Sequence, residues 1–182
     1  MRISSLALVA LTAFPASAMA AVLSVGSSYA HGCYQAAEDR DARRTAMDTC
    51  DHAIAEQGLM VEDRVATHVN RGILYLIRGN VKQAGADFDA ALALDPTEPD
   101  AWLNKAVLVA RYGKSTDAMP FVSKALELKT RRPALAYFVR AMALEDSGNI
   151  SGAYQDLKKA QALEPRWREP TAELARFQVR RP

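Results

Sequence analysis

The sequence has little that could carry out catalysis. It contains three histidines, His31, His52 and His68, and none belongs to an H-E-x-x-H pattern. It also has no G-x-G-x-x-G, phosphate-loop or G-x-S-x-G run, so no nucleotide site or activated nucleophile is recognisable. We therefore predict that the protein is not an enzyme and that it has no catalytic residue, no metal site and no cofactor.

An excess of charge of either sign is also missing. The chain carries 23 basic and 21 acidic residues, a balance that gives little long-range attraction for nucleic acid or anionic lipid. We predict no nucleic-acid partner. We expect Asp87, Asp89 and Asp156 to be solvated charges on the polar faces of helices, and His68 to be a half-buried packing residue rather than a ligand.

Long apolar runs are scarce. The run over residues 3–14 follows a positively charged start and is about a dozen residues, shorter than the roughly 20 that a membrane-spanning helix needs. It precedes two overlapping A-x-A motifs that allow cleavage after Ala18 or Ala20, and we favour Ala20. These features predict a signal peptide over residues 1–20, a periplasmic or secreted protein, and no membrane insertion after cleavage; a retained anchor is the alternative.

Only two cysteines are present, Cys33 and Cys50. Their spacing is unlike C-x-x-C, and no Cys/His cluster accompanies them, so a redox pair or zinc site is the minor alternative. Disulfides persist in the compartments that exported proteins reach. We predict a structural disulfide that stabilises the fold by roughly 3 kcal/mol.

What the sequence does contain is an internal repeat. Gly79, Gly113 and Gly148 recur at steps of 34 and 35 residues, and alanines at 84, 118 and 153 follow at the same steps. A repeat of this length is a helical hairpin that must stack on copies of itself to bury its apolar side. Apolar residues between 65 and 94 recur at three and four positions, as in helices with one buried stripe.

The segment 65–98 resembles the tetratricopeptide repeat (TPR) family. It has the small, aromatic and proline residues of that pattern at Gly72, Tyr75, Gly79, Ala84, Phe88, Ala91 and Pro96. Segments 99–132 and 134–167 resemble the same pattern; the first has Thr130 where proline is expected, and Pro133 is inserted before the second. Segment 27–60 fits as a degenerate end repeat, and the resemblance then implies that Cys33 and Cys50 lie on facing helices.

The resemblance implies an all-α fold, a right-handed superhelical stack of about four TPR repeats. Residues 168–182 follow the last repeat, and we expect a capping helix and tail there, because the last hairpin of a stack needs a cover with a polar outer face.

The resemblance also implies that the first helix of each hairpin lines a concave groove. The equivalent partner-binding positions are Val69, Asn70, Ile73, Leu103, Asn104, Val107, Phe138 and Met142. Asn70 and Asn104 match asparagines with which some family members bind a peptide carboxylate, but Asp100 stands where such a site needs lysine. We expect a mostly apolar groove for an amphipathic helix or an extended apolar segment. The alternative is that neighbouring elements bury these residues as core.

The sequence therefore predicts a non-enzymatic scaffold of the cell envelope that binds a protein or peptide along the groove. The alternative is a self-associating module that forms a homodimer through the same face. We expect that replacing Val107 or Phe138 by Asp abolishes partner capture and leaves the helices intact. The partner's identity is not encoded in any pattern of the chain.

Overall fold

A computed structural model of the chain describes residues 19–24 and 26–177. These residues form nine α-helices, with no strand among them: α1 Ser28–Asp39, α2 Arg44–Ala55, α3 Val61–Ile77, α4 Val81–Leu94, α5 Pro99–Tyr112, α6 Met119–Glu127, α7 Pro133–Asp146, α8 Ile150–Leu163 and α9 Arg168–Leu174. A 3₁₀ turn, Ser115–Ala118, precedes α6. Most of the predicted signal peptide and the end of the predicted tail lie outside the described residues.

The helices pack as successive hairpins. The pairs are α1–α2, α3–α4, α5–α6 and α7–α8; each pair contacts the next, and α9 packs on α8. The predicted all-α stack of helical hairpins is confirmed. In the last layer the Phe138 ring lies 4.9 Å from that of Trp167, and the Tyr154 ring 5.9 Å from that of Phe177, so residues around α9 cover the final hairpin.

Small residues allow the two helices of a hairpin to approach closely. A Cβ placed on Gly72 in α3 would lie 2.5 Å from Cε1 of Phe88 in α4, a distance that no real contact tolerates. The repeated alanines Ala84, Ala118 and Ala153 are all fully buried. The repeat pattern therefore marks the positions where helix axes come nearest.

The hairpin turns do not all use glycine. Gly79 and Gly148 end α3 and α7 with φ of 77° and 84°, a left-handed conformation that glycine adopts without strain. In the first hairpin Arg40 takes this conformation at φ 58°, next to Asp41, which occupies the place of the turn glycine. The first hairpin thus keeps the left-handed turn without a glycine.

A disulfide joins the two helices of the first hairpin. Cys33 on α1 and Cys50 on α2 are both fully buried, with their sulfurs 2.01 Å apart and their Cα atoms 4.8 Å apart. The predicted bond is confirmed, and it fastens the first of the described hairpins, which packs against α3.

The expectation of solvated aspartates is wrong for two of the three. Asp87 and Asp156 are 4% and 3% exposed, and each accepts two hydrogen bonds from an arginine of the preceding helix, Arg71 and Arg140 respectively. They lie on the side of the second helix that faces the first helix, where a charge needs a partner. Asp89 does lie at the surface.

His68 is largely buried, as expected. Its side chain is 14% exposed, and its Nδ1 atom lies 2.9 Å from Asp87 Oδ1. It therefore belongs to the same polar cluster as Asp87 and Arg71. Within the part of the chain that the structure describes, no group of three or more histidine, cysteine or acidic side chains is arranged to hold a metal ion.

No helix in residues 19–24 and 26–177 combines the length and the apolar character that crossing a membrane requires.

Candidate peptide-binding groove

An extended stretch of the chain lies along the inner face of the stack. It consists of residues 19–24, which we call the N-terminal segment. Ala20, Val22 and Ser24 are buried, at 2%, 6% and 0% exposure, whereas Leu23 is 53% exposed. This alternation is that of a β-strand, in which successive side chains point to opposite sides. One side of the segment therefore faces the helices and the other faces away.

Two buried asparagines hold the backbone of the N-terminal segment. The Val22 N–H donates to Asn70 Oδ1 at 2.8 Å, and Asn70 Nδ2 donates to the Val22 carbonyl at 2.7 Å. The Ala20 N–H donates to Asn104 Oδ1 at 3.2 Å, and Asn104 Nδ2 donates to the Ala20 carbonyl at 2.9 Å. Each side-chain amide thus satisfies both polar groups of one residue, as a neighbouring strand would.

The register of these contacts follows from the repeat. Asn70 on α3 and Asn104 on α5 lie 34 positions apart, at the same place in successive hairpins, and both are fully buried. They contact residues that are two positions apart in the N-terminal segment. A shift from one hairpin to the next therefore matches a shift of two residues along the N-terminal segment, which is the side-chain period of an extended chain.

Both ends of the N-terminal segment are also fixed. Ser24 Oγ donates to Asp63 Oδ1 at 2.6 Å, and the Gly26 N–H donates to Asp63 Oδ2 at 3.0 Å. The Ser24 carbonyl lies 3.1 Å from Nδ1 of His31 on α1. At the other end Arg132 Nη1 donates to the Met19 carbonyl at 2.8 Å. The segment thus runs from the α7 end of the groove towards α1.

The predicted apolar lining forms the wall behind this segment. Val69, Ile73, Leu103, Val107 and Phe138 are all at most 1% exposed, and Met142 is half-buried. Val69 and Ile73 belong to the same core cluster as Val22; Leu103, Val107 and Phe138 belong to that of Ala20, against which Met142 also packs.

The prediction that Asp at position 107 or 138 would leave the helices intact is wrong, because both positions are buried. An unpaired carboxylate at either place would be buried in the core, and its cost would disrupt the helices. Loss of partner capture in such variants would follow from misfolding, so they cannot test the groove.

Asp100 is used internally rather than for a ligand. It is fully buried and accepts hydrogen bonds from the Thr130 hydroxyl, from the Arg131 backbone N–H and from the Arg131 guanidinium. These bonds tie α5 to the turn before α7. They also give a role to Thr130, which replaces the expected proline.

A cavity adjoins Met19 at the α7 end of the groove. Its walls are Met19, Ala37, Glu38, Arg40, Ile73, Ile77 and Arg132. Burial lowers the pKa of Arg40 from its ordinary value, and the positive charge of Arg111 lowers it further. The walls of the cavity thus carry two guanidinium groups, Arg40 and Arg132, and one carboxylate, Glu38.

The occupant of the groove is not among the features predicted from the sequence. The residues after the A-x-A motifs fit the end of an export signal, although their small side chains at 20, 22 and 24 also alternate as in a half-buried strand. The TPR resemblance identifies Asn70 and Asn104, and the structure brings both to one extended segment. It does not identify Asp63 and Arg132, which hold the ends of that segment.

Comparison with known proteins gives a distant similarity. No protein-family model matches the sequence. Over 101 residues the chain is 32% identical to DnaJ homolog subfamily C member 3 of Bos taurus, and the match covers 56% of this chain and 20% of that protein. The chain thus spans about a fifth of the relative's length. The all-helical stack and this similarity fit a TPR-like protein.

Proposed function

We propose that this protein is a non-enzymatic interaction module that binds a protein or peptide partner, in extended form, along the concave groove. The observation that carries the proposal is the pair Asn70 and Asn104, each of which holds the N–H and the carbonyl of one extended residue. Such contacts recognise the backbone, as in binding modes where a peptide adds as a strand, and pockets for alternate side chains supply the selectivity.

The buried charged groups support a binding role over a catalytic one. Asp87, Asp100 and Asp156 are each paired with an arginine, Arg71, Arg131 and Arg140 respectively. These pairs tie neighbouring elements of the stack together, and partners within the protein hold each carboxylate. The part of the groove that holds Ala20 and Val22 is lined by amide and apolar side chains, which bind but do not transfer protons at neutral pH.

We place the protein in the periplasm or outside the cell. The Cys33–Cys50 disulfide supports this location, because such bonds persist in oxidising compartments and are rare in the cytosol. The A-x-A motifs that follow an apolar run point the same way.

A photo-crosslinking amino acid at Ile77, in the groove next to Met19, tests the proposal in cells that produce the protein. We expect adducts with a partner from this position and none from a matched probe at Ile150, an exposed residue at the start of α8. Adding Asn70→Ala and Asn104→Ala should remove the Ile77 adducts. Adducts that form equally at both positions, or that survive loss of both asparagines, would contradict a groove that binds through them.

Self-association through the groove stays the alternative proposal. It requires the inner face of one copy to be available to another, whereas in this structure the N-terminal segment covers Asn70 and Asn104. Sedimentation of the processed chain distinguishes the two: a concentration-dependent dimer that Asn70→Ala disrupts would favour the alternative, and a monomer would favour a separate partner.

A further inference from the structure

We infer that the groove selects a partner segment with a small, uncharged side chain at every second residue, and that the N-terminal segment is a tethered competitor for that partner. The inference rests on the proposed function and names the class of ligand. It is drawn from the way residues 19–24 occupy the site in this structure.

Selection for small side chains follows from the packed wall. Ala20 and Ser24 are at most 2% exposed, and the residues behind the segment, such as Leu103 and Val107, are at most 1% exposed. An interior at this density has no space for a larger group without moving its neighbours. Leu23 is mostly exposed, so the position of a partner that matches it is free to vary. Met19 and Ala21 are half-buried and pack against the core, so the positions that match them are more restricted.

Selection against charge follows from the chemistry of the wall. The two groups that hold the backbone are neutral amides, and a charged side chain placed beside them would lose its water without gaining a counter-ion. At the α1 end, by contrast, Asp63 accepts the Ser24 hydroxyl at 2.6 Å. The third small residue of a partner is therefore best when it carries a hydroxyl, and this contact also fixes the direction of binding.

Competition follows from the tether. The N-terminal segment is joined to α1 by residues 25–27, so its effective concentration at the groove is on the order of millimolar. Undocking would expose Asn70 and Asn104 to water, which replaces their hydrogen bonds to the segment, so the net free energy that holds the segment is much smaller than the number of bonds implies. A partner of matching sequence can therefore displace it, but binds more weakly than it would bind an empty groove.

The test uses the chain from Met19 onward, which is the product of cleavage after Ala18 and the one that keeps the whole N-terminal segment, and a fluorescent peptide, acetyl-Met-Ala-Ala-Val-Leu-Ser, that copies residues 19–24. Val22→Pro removes the N–H that Asn70 accepts and should release the segment. By fluorescence anisotropy we expect the peptide to bind this variant at least tenfold more tightly than the unmodified chain. The matched control is Leu23→Pro, at an exposed residue whose N–H makes no hydrogen bond in the described residues, and it should bind like the unmodified chain.

Two further arms test the site and its selectivity. Adding Asn70→Ala and Asn104→Ala to the Val22→Pro protein should weaken peptide binding at least tenfold. A peptide with tryptophan at its fourth residue, which matches the buried Val22, should bind at least tenfold more weakly, whereas tryptophan at the fifth, which matches the exposed Leu23, should leave affinity within about threefold. Ala20→Pro, which removes the bond to Asn104, is a second releasing variant, and circular dichroism checks that each variant keeps its helices.

The outcomes separate this inference from the proposed function. Equal peptide affinity for the Val22→Pro, Ala20→Pro and unmodified proteins would overturn the tethered competitor. Equal affinity for the two tryptophan peptides would overturn the selection for small residues, while a requirement for the asparagines would leave the proposed function standing. If crosslinking from Ile77 is unchanged when both asparagines are replaced by alanine, the proposed function itself is overturned, whatever the result of the peptide-binding experiment.

Discussion

Single residues set how closely the helices of a hairpin approach, and Gly72 is the clearest case. A Cβ on Gly72 would lie 2.5 Å from the Phe88 ring, so Gly72→Ala must push apart α3 and α4. We expect a loss of about 1 to 3 kcal/mol in the free energy of unfolding, because overpacking outweighs the gain in helix propensity. Urea denaturation of the chain from Met19 measures it.

Gly85 on α4 supplies the control for Gly72. The nearest atom to an added Cβ there, Leu108 Cδ1, is 3.7 Å away, an ordinary contact. Gly85→Ala should therefore be neutral or stabilising by up to about 1 kcal/mol through helix propensity. If Gly72→Ala proves no less stable than Gly85→Ala, the close crossing of α3 and α4 is not a constraint on the fold.

Asp87 gives the stability a dependence on pH. Burial alone would raise its pKa, but hydrogen bonds from Arg71 and His68 more than offset this, and the pKa lies below its ordinary value of 3.8. The unfolded chain then takes up the proton first. The stabilisation by Asp87 is therefore complete above pH 3.8 and is lost as the pH falls through its folded-state pKa. Burial raises the pKa of Glu98 and of Glu145. These two carboxyl groups therefore lower the stability of the fold as the pH rises, which is opposite to the effect of Asp87.

Comparison with Asp87→Asn isolates this contribution. At neutral pH we expect the variant to be less stable by about 2 to 3 kcal/mol, because Arg71 loses its largely buried ion pair and keeps only the more exposed one with Asp51. The difference should shrink as the pH is lowered below 3.8 in urea titrations. Asp89→Asn is the control: its carboxylate is exposed and pairs with Lys105, so we expect a change below about 0.5 kcal/mol at every pH. A difference for Asp87→Asn that does not vary with pH would contradict the assignment.

At the scale of elements, the first hairpin depends on its disulfide. The bond joins cysteines 17 positions apart, and opening it should cost roughly 3 kcal/mol through the freedom gained by the unfolded chain. Among the described helices, α1 and α2 pack against α3, whereas each of the middle hairpins packs against a hairpin on both sides. We expect reductant to lower the unfolding temperature and to raise amide exchange in α1 and α2 before α5 to α8. A Cys33→Ser, Cys50→Ser double variant should unfold at the same temperature as the reduced protein, with or without reductant. Equal amide exchange in all hairpins after reduction would argue against a locally weakened first hairpin.

The elements are predictable from the sequence because their determinants are local. The 34-residue register of glycine and alanine encodes the hairpins, and α3 with α4 follows the apolar spacing of the chain. The polar pairs are encoded too, since Arg71 and Arg140 stand at one repeat position and Asp87 and Asp156 at another. The polar surroundings of each aspartate on its own helix favour a solvated charge, and only the helix that it faces supplies the arginine.

The occupant of the groove is not predictable by the same means. Val22 contacts Asn70 across 48 positions, and Ala20 contacts Asn104 across 84. No period along the chain relates these residues, because the N-terminal segment is not a repeat and crosses the stack rather than joining it. Residues 19 and 20 also fit the end of a signal peptide. Interpreting them in that way gives no reason to look for a half-buried strand over residues 19–24.

For the whole molecule, the N-terminal segment changes how the hairpins are coupled. In a stack of repeats each hairpin contacts only its neighbours, and stability is close to a sum of local terms. Here one segment contacts Arg132 before α7, Asn104 on α5, Asn70 on α3 and His31 on α1. We therefore expect the hairpins to unfold more cooperatively with the segment docked than with it released.

The choice between the two cleavage motifs should consequently be measurable as stability. A chain that begins at Ala21 lacks the Ala20 bonds to Asn104 and the Met19 bond to Arg132, which a chain beginning at Met19 retains. We expect the shorter chain to be less stable by about 1 to 3 kcal/mol, because each of these hydrogen bonds makes a modest net contribution to folding. Urea unfolding of the two chains measures the difference, and the intact mass of the exported protein identifies which one occurs.

Asn104→Ala provides the decisive comparison for these two chains. In the chain from Met19 it should be destabilising by about 1 to 3 kcal/mol, because the buried Ala20 N–H and carbonyl lose their partner. In the chain from Ala21 it should change little, since Asn104 then faces water. This non-additivity would identify the amide contact itself as the source of the stability. If Asn104→Ala costs the same in both chains, Asn104 acts through its own helix, and the N-terminal segment does not hold the stack together.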